Sequence, residues 1–337
     1  MPPRWTRRPE GSNWGDFGAD DQLGRLNLLT PLKVLQGIAE VKEGRSFCLS
    51  LPLDVPGESG LNPRRHPPRL RPTELNGVPF MNKPLSHLDE RNTDILCDDE
   101  VTMSLQYSTQ WDSFAHVGSH FDADGDGVAE HVYYNGWRAH EHVLGPGDAG
   151  VKAGESSARA LGIESFALKA IQGRAVLVDL HAHFGRERVF VGLDELTEVL
   201  QRDSVEIESG DILVFHTGFS EMLLEMDRHP QMELLNRSCA VLDGRDLRLL
   251  QFITDSGVAA LCADNYAVEG YPARPASGPR AALPLHEHCL FKLGELWWLT
   301  GLAAWLRSNG RSRFLLTAPP LRLPGAVGSP VTPVATV

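Results

Sequence analysis

The sequence has few cysteines, and none stands close enough to another to suggest a pair. It contains five in 337 residues, without a CxxC spacing. The dispersed cysteines therefore indicate neither a disulfide framework nor a thiolate zinc site. We interpret the cysteines as small buried apolar residues. They are Cys48, Cys97, Cys239, Cys262 and Cys289.

Long apolar runs and an excess of positive charge are also missing. No apolar stretch reaches the roughly 18 residues that a membrane-spanning helix needs, and no apolar segment follows the basic residues of the opening MPPRWTRRPEG. Lysine and arginine number 32 against 44 aspartate and glutamate residues, which gives a net charge of −12. We therefore expect a cytoplasmic protein that binds neither membranes nor nucleic acid.

The hydrophobic content of 42% is enough for a large core, and its pattern indicates alternating strands and helices. Continuous apolar runs predict buried strands at 173–179 and 209–218, and helical spacing predicts a helix at 193–202. Further strands are predicted at VAALCAD and FLLTAPPLRL, and a short helix at EHCLFKLG. No glycine-rich phosphate loop follows a strand, so the pattern favours an α/β or α+β domain without a nucleotide-binding motif.

The first hundred residues are rich in turns and are predicted to form an N-terminal extension, with the main domain at 101–337. Thr30 and Pro31 have the residue types of a helix N-cap and a first helical position. Residues 52–84 carry many prolines, glycines and arginines with little periodicity, which predicts a long excursion over the surface.

The segment 109–133 contains the densest set of metal-binding side chains. His116, His120 and Asp122 follow the spacing HxxxHxD. Two imidazoles and a carboxylate suit zinc or manganese. Gly118 argues against a regular helix between the histidines, but a turn or a short extended segment would also let the three donors meet.

A calcium loop competes for part of the same segment. The letters DxDxDG, from Asp122 to Gly127, match the opening half of a helix-loop-helix calcium loop. The twelfth position of such a loop should be a glutamate, but it is Tyr133 here. The calcium interpretation therefore rests on half a motif.

Several separated segments together resemble one family. HVGSHFDADGD is similar to the HxGTHxDxPxH signature of the cyclase-type metal-dependent hydrolases, which include bacterial kynurenine formamidase and isatin hydrolase. SGDILVFHTGF, ADNYAVEGYP and LPLHEHCLFKLG resemble later segments of that family, in the same order. The opening WGDFGADDQLGRLNLLTP and the closing PGAVGSPVTPVA resemble the termini of its longer members.

The resemblance implies a single α/β domain with a swivelling β/β/α core, assembled into dimers or tetramers. It also implies a zinc or manganese ion held by His116, His120, Asp122 and His286, usually together with a late glutamate. The implied reaction is hydrolysis of an amide or ester, cyclic or aryl, in a small molecule.

The sequence departs from the family pattern at the base and at the late glutamate. The catalytic histidine of the family falls at Asp126, so either Asp126 or the nearby His131 would accept the proton. The late glutamate falls at Trp298, and Glu295 is the nearest carboxylate. Ser119 replaces the threonine of the signature and keeps its hydroxyl.

The resulting expectation is a metal-dependent hydrolase. Two alternatives stay open: a metal-dependent lyase, dehydratase or cyclase in a biosynthetic pathway, and a non-catalytic binding protein on the same scaffold. Aromatic residues beside the expected ligands could hold a planar substrate, although such residues more often belong to the core. They are Trp111, Phe114, Phe121 and Tyr134.

Overall fold

A nine-stranded mixed sheet forms the centre of the protein in the computed structural model, which describes residues 4–57, 60–293, 297–298 and 303–337. In chain order, the strands are β1 (Ser46–Cys48), β2 (Arg69–Pro72), β3 (Glu74–Leu75), β4 (Val78–Pro79), β5 (Lys83–Pro84), β6 (Ile95–Leu96), β7 (Asp99–Thr102), β8 (Gln110–Asp112), β9 (Ser119–Phe121), β10 (Glu130–Val132), β11 (Val143–Leu144), β12 (Ser157–Ala158), β13 (Gln172–Asp179), β14 (Phe190–Val191), β15 (Ile212–His216), β16 (Val241–Leu242), β17 (Ala260–Ala263), β18 (Trp297–Trp298), β19 (Arg313–Thr317), β20 (Gly328–Pro330) and β21 (Val334–Thr336).

Helices surround this sheet. In chain order, they are α1 (Pro31–Ala39), α2 (Glu164–Lys169), α3 (Leu180–Phe184), α4 (Leu193–Arg202), α5 (Phe219–Glu225), α6 (Met232–Leu235), α7 (Leu247–Ser256), α8 (Pro284–His286) and α9 (Ala303–Ser308). A π-helix at Glu287–Leu293 continues directly from α8, and single 3-10 turns lie at Gly24–Leu28, Leu85–His87 and Tyr134–Gly136. The predicted α/β class is confirmed.

The strand order of the main sheet is β1-β21-β19-β13-β15-β17-β18-β8-β20. The four strands from β13 to β18 in this order run parallel, and the neighbours on both sides are antiparallel. β15 and β17 are buried along their whole length, and so is most of β13. Burial on both faces explains the continuous apolar runs in the sequence, and the strands predicted from them are confirmed.

Local sequence signals predict helices α1 and α4 and determine where α1 begins. The Thr30 hydroxyl accepts a hydrogen bond from the backbone N–H of Lys33, and Pro31 is the first helical residue, as predicted. α1 packs closely on β13 at Gly37, where an added Cβ would lie 2.9 Å from the backbone of Gly173. The helix predicted at 193–202 is confirmed as α4.

The first hundred residues divide into two structural parts. β1 pairs with β21 at one edge of the main sheet, so this part of the N-terminal segment joins the core fold. Residues 69–102 instead form three small two-stranded ladders, β2 with β7, β3 with β4 and β5 with β6, whose side chains are largely exposed.

The interpretation of all five cysteines as buried was wrong for two of them. Cys239, Cys262 and Cys289 are buried, whereas Cys48 and Cys97 are exposed. Cys48 lies on the short edge strand β1, and Cys97 directly follows one of the small exposed ladders, so neither position is covered by a second layer. In the described part of the chain, no helix has the length and apolarity to cross a membrane.

Candidate active site

A cleft of about 750 Å³, including its open mouth, lies between β8, the segment after β17 and α8. Small-molecule sites commonly have this size. Its polar lining includes Gln110, Asp112, His116, His286, Arg64 and Arg65.

β8 and the turn after it place the first three of these side chains. Gln110 and Asp112 are two residues apart on the strand and therefore project from the same face, into the cleft. Trp111 between them is buried, and its indole N–H donates to the carbonyl oxygen of Ala318 over 2.6 Å. A turn closed by the His116 N–H and the Ser113 carbonyl then brings His116 Nε2 to 3.8 Å from Asp112 Oδ1.

The surroundings of His116 favour the uncharged form of its ring. Burial is the largest influence and lowers the pKa of His116 below its ordinary value; Asp112 opposes this, and His286 adds to the lowering. Positive charge on Arg65 and Arg64 lowers the same pKa further. The amide nitrogen of Gln106 lies 3.4 Å from Nδ1, which holds the other side of the ring. A neutral imidazole can accept a proton or bind a cation.

His286 is oriented by a buried carboxylate. Glu269 is 1% exposed, and its Oε1 lies 2.7 Å from His286 Nδ1. The backbone N–H groups of Leu285 and His286 also donate to Glu269. Because Nδ1 is engaged, Nε2 is the ring nitrogen available to the cleft. Histidines that bind metals are typically held by a carboxylate in this way.

Gln110 adds an oxygen that lacks a partner. Its amide nitrogen lies 3.3 Å from both carboxylate oxygens of Asp112, while Oε1 is buried without a hydrogen-bond partner among the described residues. A buried unpaired carbonyl oxygen is costly unless a cation or another donor satisfies it. A carboxylate, an imidazole and an amide oxygen together have the donor chemistry of a divalent-metal site.

The expected ligands His120 and Asp122 lie apart from His116. His120 is an exposed residue of β9, and it pairs across the hairpin with His131 on β10, with the ring centroids 5.2 Å apart. Asp122 accepts hydrogen bonds from Arg7 and from the backbone N–H groups of Gly125 and Gly127. Neither residue lines the cleft that holds His116 and His286.

The expected bases Asp126 and His131 are exposed and also lie outside the cleft lining. The carboxylates of Asp122, Asp124 and Asp126 approach one another within 4.8 Å, which is the arrangement that the calcium interpretation requires. Backbone N–H groups of their own loop donate to all three carboxylates. Glu295 lies outside the described residues.

A second alignment of the signature explains which residues the sequence analysis missed. Placed ten residues earlier, HxGTHxDxPxH falls on QYSTQWDSFAH, where Thr109, Asp112 and His116 match and Gln106 and Gln110 replace the two histidines. In this alignment, His116 takes the position of the base and Asp112 that of the carboxylate ligand. A search for histidine pairs selects HVGSH instead, because glutamine gives no metal signal.

Another histidine, His216 at the end of β15, belongs to a buried ion network. Its Nδ1 lies 2.8 Å from Asp179 and its Nε2 lies 3.1 Å from Glu221, while Arg307 also donates to Asp179. Burial is the largest influence and lowers the pKa of His216, but the two carboxylates outweigh it and raise that pKa to about 10. Ligand atoms of His216, Glu221 and Asp264 lie within 4.8 Å of one another. We interpret the network as stabilising, because both ring nitrogens already have partners.

Solved structures similar to this chain share its fold along most of its length. A novel cyclase is 28% identical, with a TM-score of 0.72 and coverage of 97% of both chains. Isatin hydrolase A from Ralstonia solanacearum is 16% identical, with a TM-score of 0.55, over 91% of this chain and 97% of its own. Isatin hydrolase A from Labrenzia aggregata, bound to benzyl benzoate, is 14% identical, with a TM-score of 0.52, over 90% and 97%.

No curated protein matches the sequence. The model of the cyclase family matches residues 48–270, which is well over half of the chain and includes β8, the turn that carries His116, and Glu269. The fold and this match lead to one conclusion: the chain belongs to the cyclase family.

Proposed function

We propose that this protein is a metal-dependent hydrolase that cleaves an amide or ester bond, cyclic or aryl, in a small molecule. One observation carries the proposal: Asp112, His116 and His286 line a single cleft, in which the buried oxygen of Gln110 has no hydrogen-bond partner in the described part of the chain. Proton-accepting and cation-binding groups in one small-molecule cleft are what such a reaction needs.

Asp112, His286 and the amide oxygen of Gln110 are the residues that would hold a zinc or manganese ion. Such an ion acts as a Lewis acid on a carbonyl oxygen and lowers the pKa of water. Glu269 keeps His286 in the orientation that this role requires. Of the expected ligands, only His286 keeps that role in this proposal. Gln110 and Asp112 take the places of His120 and Asp122, and the expected ligand His116 becomes the proton acceptor.

His116 is the proton acceptor in this proposal. Its Nε2 faces Asp112 across 3.8 Å, which is longer than a direct hydrogen bond. The ring takes a proton from the attacking water and returns it to the leaving nitrogen or oxygen. Gln106 keeps the ring in place from its other side.

A substrate screen combined with metal analysis tests the proposal. The purified protein is assayed with N-formyl anilines, lactones and cyclic imides before and after chelation, with zinc and manganese added back. We expect turnover that chelation abolishes and metal restores, and one labelled solvent oxygen in the product. Full activity without metal would refute the metal role, and product without solvent oxygen would favour a lyase or cyclase reaction.

A further inference from the structure

We infer that Arg64 and Arg65 form an anion-binding subsite, and that the substrate carries a carboxylate on a planar group beside the bond that is cleaved. This inference rests on the proposed function for the identity of the reaction. The subsite itself rests on the charges and contacts of the cleft and can be tested without turnover.

Both arginines line the same cleft as Asp112, His116 and His286. A charged group bound by the arginines would therefore lie beside the proposed reacting centre.

The charge of the cleft is opposite to that of the whole protein. The chain has a net charge of −12, yet the described cleft lining contains two arginines and one carboxylate, Asp112. Neither Arg64 nor Arg65 forms an ion pair with a carboxylate of the described residues, whereas many other arginines do. Two arginines without acidic partners at a small-molecule cleft are suited to bind a carboxylate, because the guanidinium fork matches its two oxygens.

The segment that carries the arginines is tied to the body of the protein. The His66 backbone N–H donates to the Ser104 hydroxyl over 2.8 Å, and the Ser104 N–H donates back to the His66 carbonyl over 3.1 Å. A turn from Asn62 to Arg65 is closed by a further backbone hydrogen bond. Such anchoring reduces the entropy that the arginines lose when they bind a ligand.

Two tyrosines provide the surface for a planar group. Tyr266 and Tyr271 line the cleft, with ring centroids 6.1 Å apart and planes inclined by 61°. Tyr271 is 47% exposed and can therefore contact a ligand with its ring. Of the aromatic residues expected from the sequence, Trp111, Phe114 and Tyr134 are at most 1% exposed. Phe121, the fourth, lies outside the cleft lining.

A matched pair of substrates tests the subsite during turnover. We compare N-formylaniline with the same compound bearing a ring carboxylate, using Arg64→Ala, Arg65→Ala and the control Arg69→Ala, an exposed arginine outside the cleft lining. For the carboxylate substrate, kcat/KM should fall about tenfold in each cleft variant, as expected for a partly exposed charged hydrogen bond. For the neutral substrate, kcat/KM should fall less in each cleft variant than it does for the carboxylate substrate. The control Arg69→Ala should change kcat/KM less than about twofold for both substrates.

Equilibrium binding tests the subsite without turnover. Calorimetry with benzoate, benzamide and inorganic phosphate is applied to the unmodified protein and to Arg64→Ala/Arg65→Ala. We expect benzoate to bind more tightly than benzamide or phosphate, and the double variant to lose this preference while His116→Ala keeps it. Equal binding of benzoate and benzamide, or preferential binding of phosphate, would overturn the inference. If benzoate binding depends on the arginines but the protein has no hydrolase activity, the subsite is upheld and only the proposed function is refuted.

Discussion

Two neighbouring segments carry similar residues, but they lie in different environments. The segment 106–116 ends in a cleft, where Asp112 and His116 meet His286. The segment 119–131 forms an exposed hairpin and loop, where His120 faces His131 and the aspartates bind backbone N–H groups of their own loop. Spacing alone favours the second segment, but only the first places its side chains in the cleft that also holds His286. A candidate site is therefore better judged by the cleft that its residues line than by the density of ligands in one segment.

Substitutions in the two segments should produce the largest difference in catalytic activity. We expect Asp112→Asn and His116→Ala each to lower kcat/KM by about a thousandfold, because the first removes the charge of a proposed metal ligand and the second removes the proposed proton acceptor. His120→Ala and His131→Ala should change it less than about twofold, since their side chains are exposed and outside the cleft. Steady-state kinetics on the same substrate measures both. Loss of activity in the hairpin variants alone would return the site to His120 and His131.

His216 is a third histidine for this comparison, and we interpret its ion network as stabilising the fold. Asp179→Asn should lower the free energy of unfolding by about 3 kcal/mol near pH 7, because it breaks a buried charge network. The control Asp203→Asn disturbs the more exposed pair with His183 and should cost less than about 1 kcal/mol. Urea unfolding of the three proteins gives these values.

The pH dependence of that stability follows from the direction of each shift. The pKa of His216 is raised to about 10 in the folded protein, so its contribution is complete below the ordinary histidine pKa and is lost as the pH rises through 10. Burial raises the pKa of Asp179, but its bonds to His216 and Arg307 outweigh burial and lower this pKa to about 2. The contribution of Asp179 to stability is therefore lost as the pH falls towards 2. The difference between Asp179→Asn and the unmodified protein should therefore shrink at both extremes. A constant difference from pH 3 to pH 10.5 would contradict the network.

Glu269 tests whether the orientation of His286 matters. Glu269→Gln should weaken the affinity for zinc or manganese by about 10- to 100-fold, as expected when the group that orients a ligand is removed. Glu287→Gln is the control on the adjacent π-helix, where Glu287 accepts a hydrogen bond from Ser119. Metal titration separates this effect from a general loss of stability, which the melting temperature reports. If Glu269→Gln leaves the metal affinity unchanged, His286 is not a ligand whose orientation depends on Glu269.

The smallest effect is expected at Asp122. Asp122→Ala removes the partner of Arg7 and of two loop N–H groups and should destabilise the protein by about 1 kcal/mol. Activity should remain within about twofold. Calorimetry with calcium on the same variant also tests the calcium interpretation, since any binding at the DxDxDG loop should disappear. A large loss of turnover would restore Asp122 as a ligand.

The assembly into dimers or tetramers stays a prediction, which light scattering on the purified protein would test.

The amino-acid sequence by itself determined the local structure and the family. Burial on both faces imposed apolar runs on β13 and β15, and Thr30 with Pro31 set the start of α1, because these signals act between residues close in the chain. The ordered segments from 116 to 294 were sufficient to indicate the family. The sequence also selected His116 and His286 as candidate ligands, and both line the cleft.

Only the tertiary structure decided which of the candidate ligands share a site. Asp112, His286 and the arginine pair at 64 and 65 are separated from one another by 47 to 222 residues, and no periodicity connects positions that far apart. Their meeting depends on how β8 packs into the sheet, on how α8 follows the β17 segment, and on where the N-terminal turn crosses the cleft. Burial and neighbouring charge supply the final distinction. Burial lowers the pKa of His116, whereas Asp179 and Glu221 outweigh burial and raise the pKa of His216. The side chain of His120 is exposed on the hairpin.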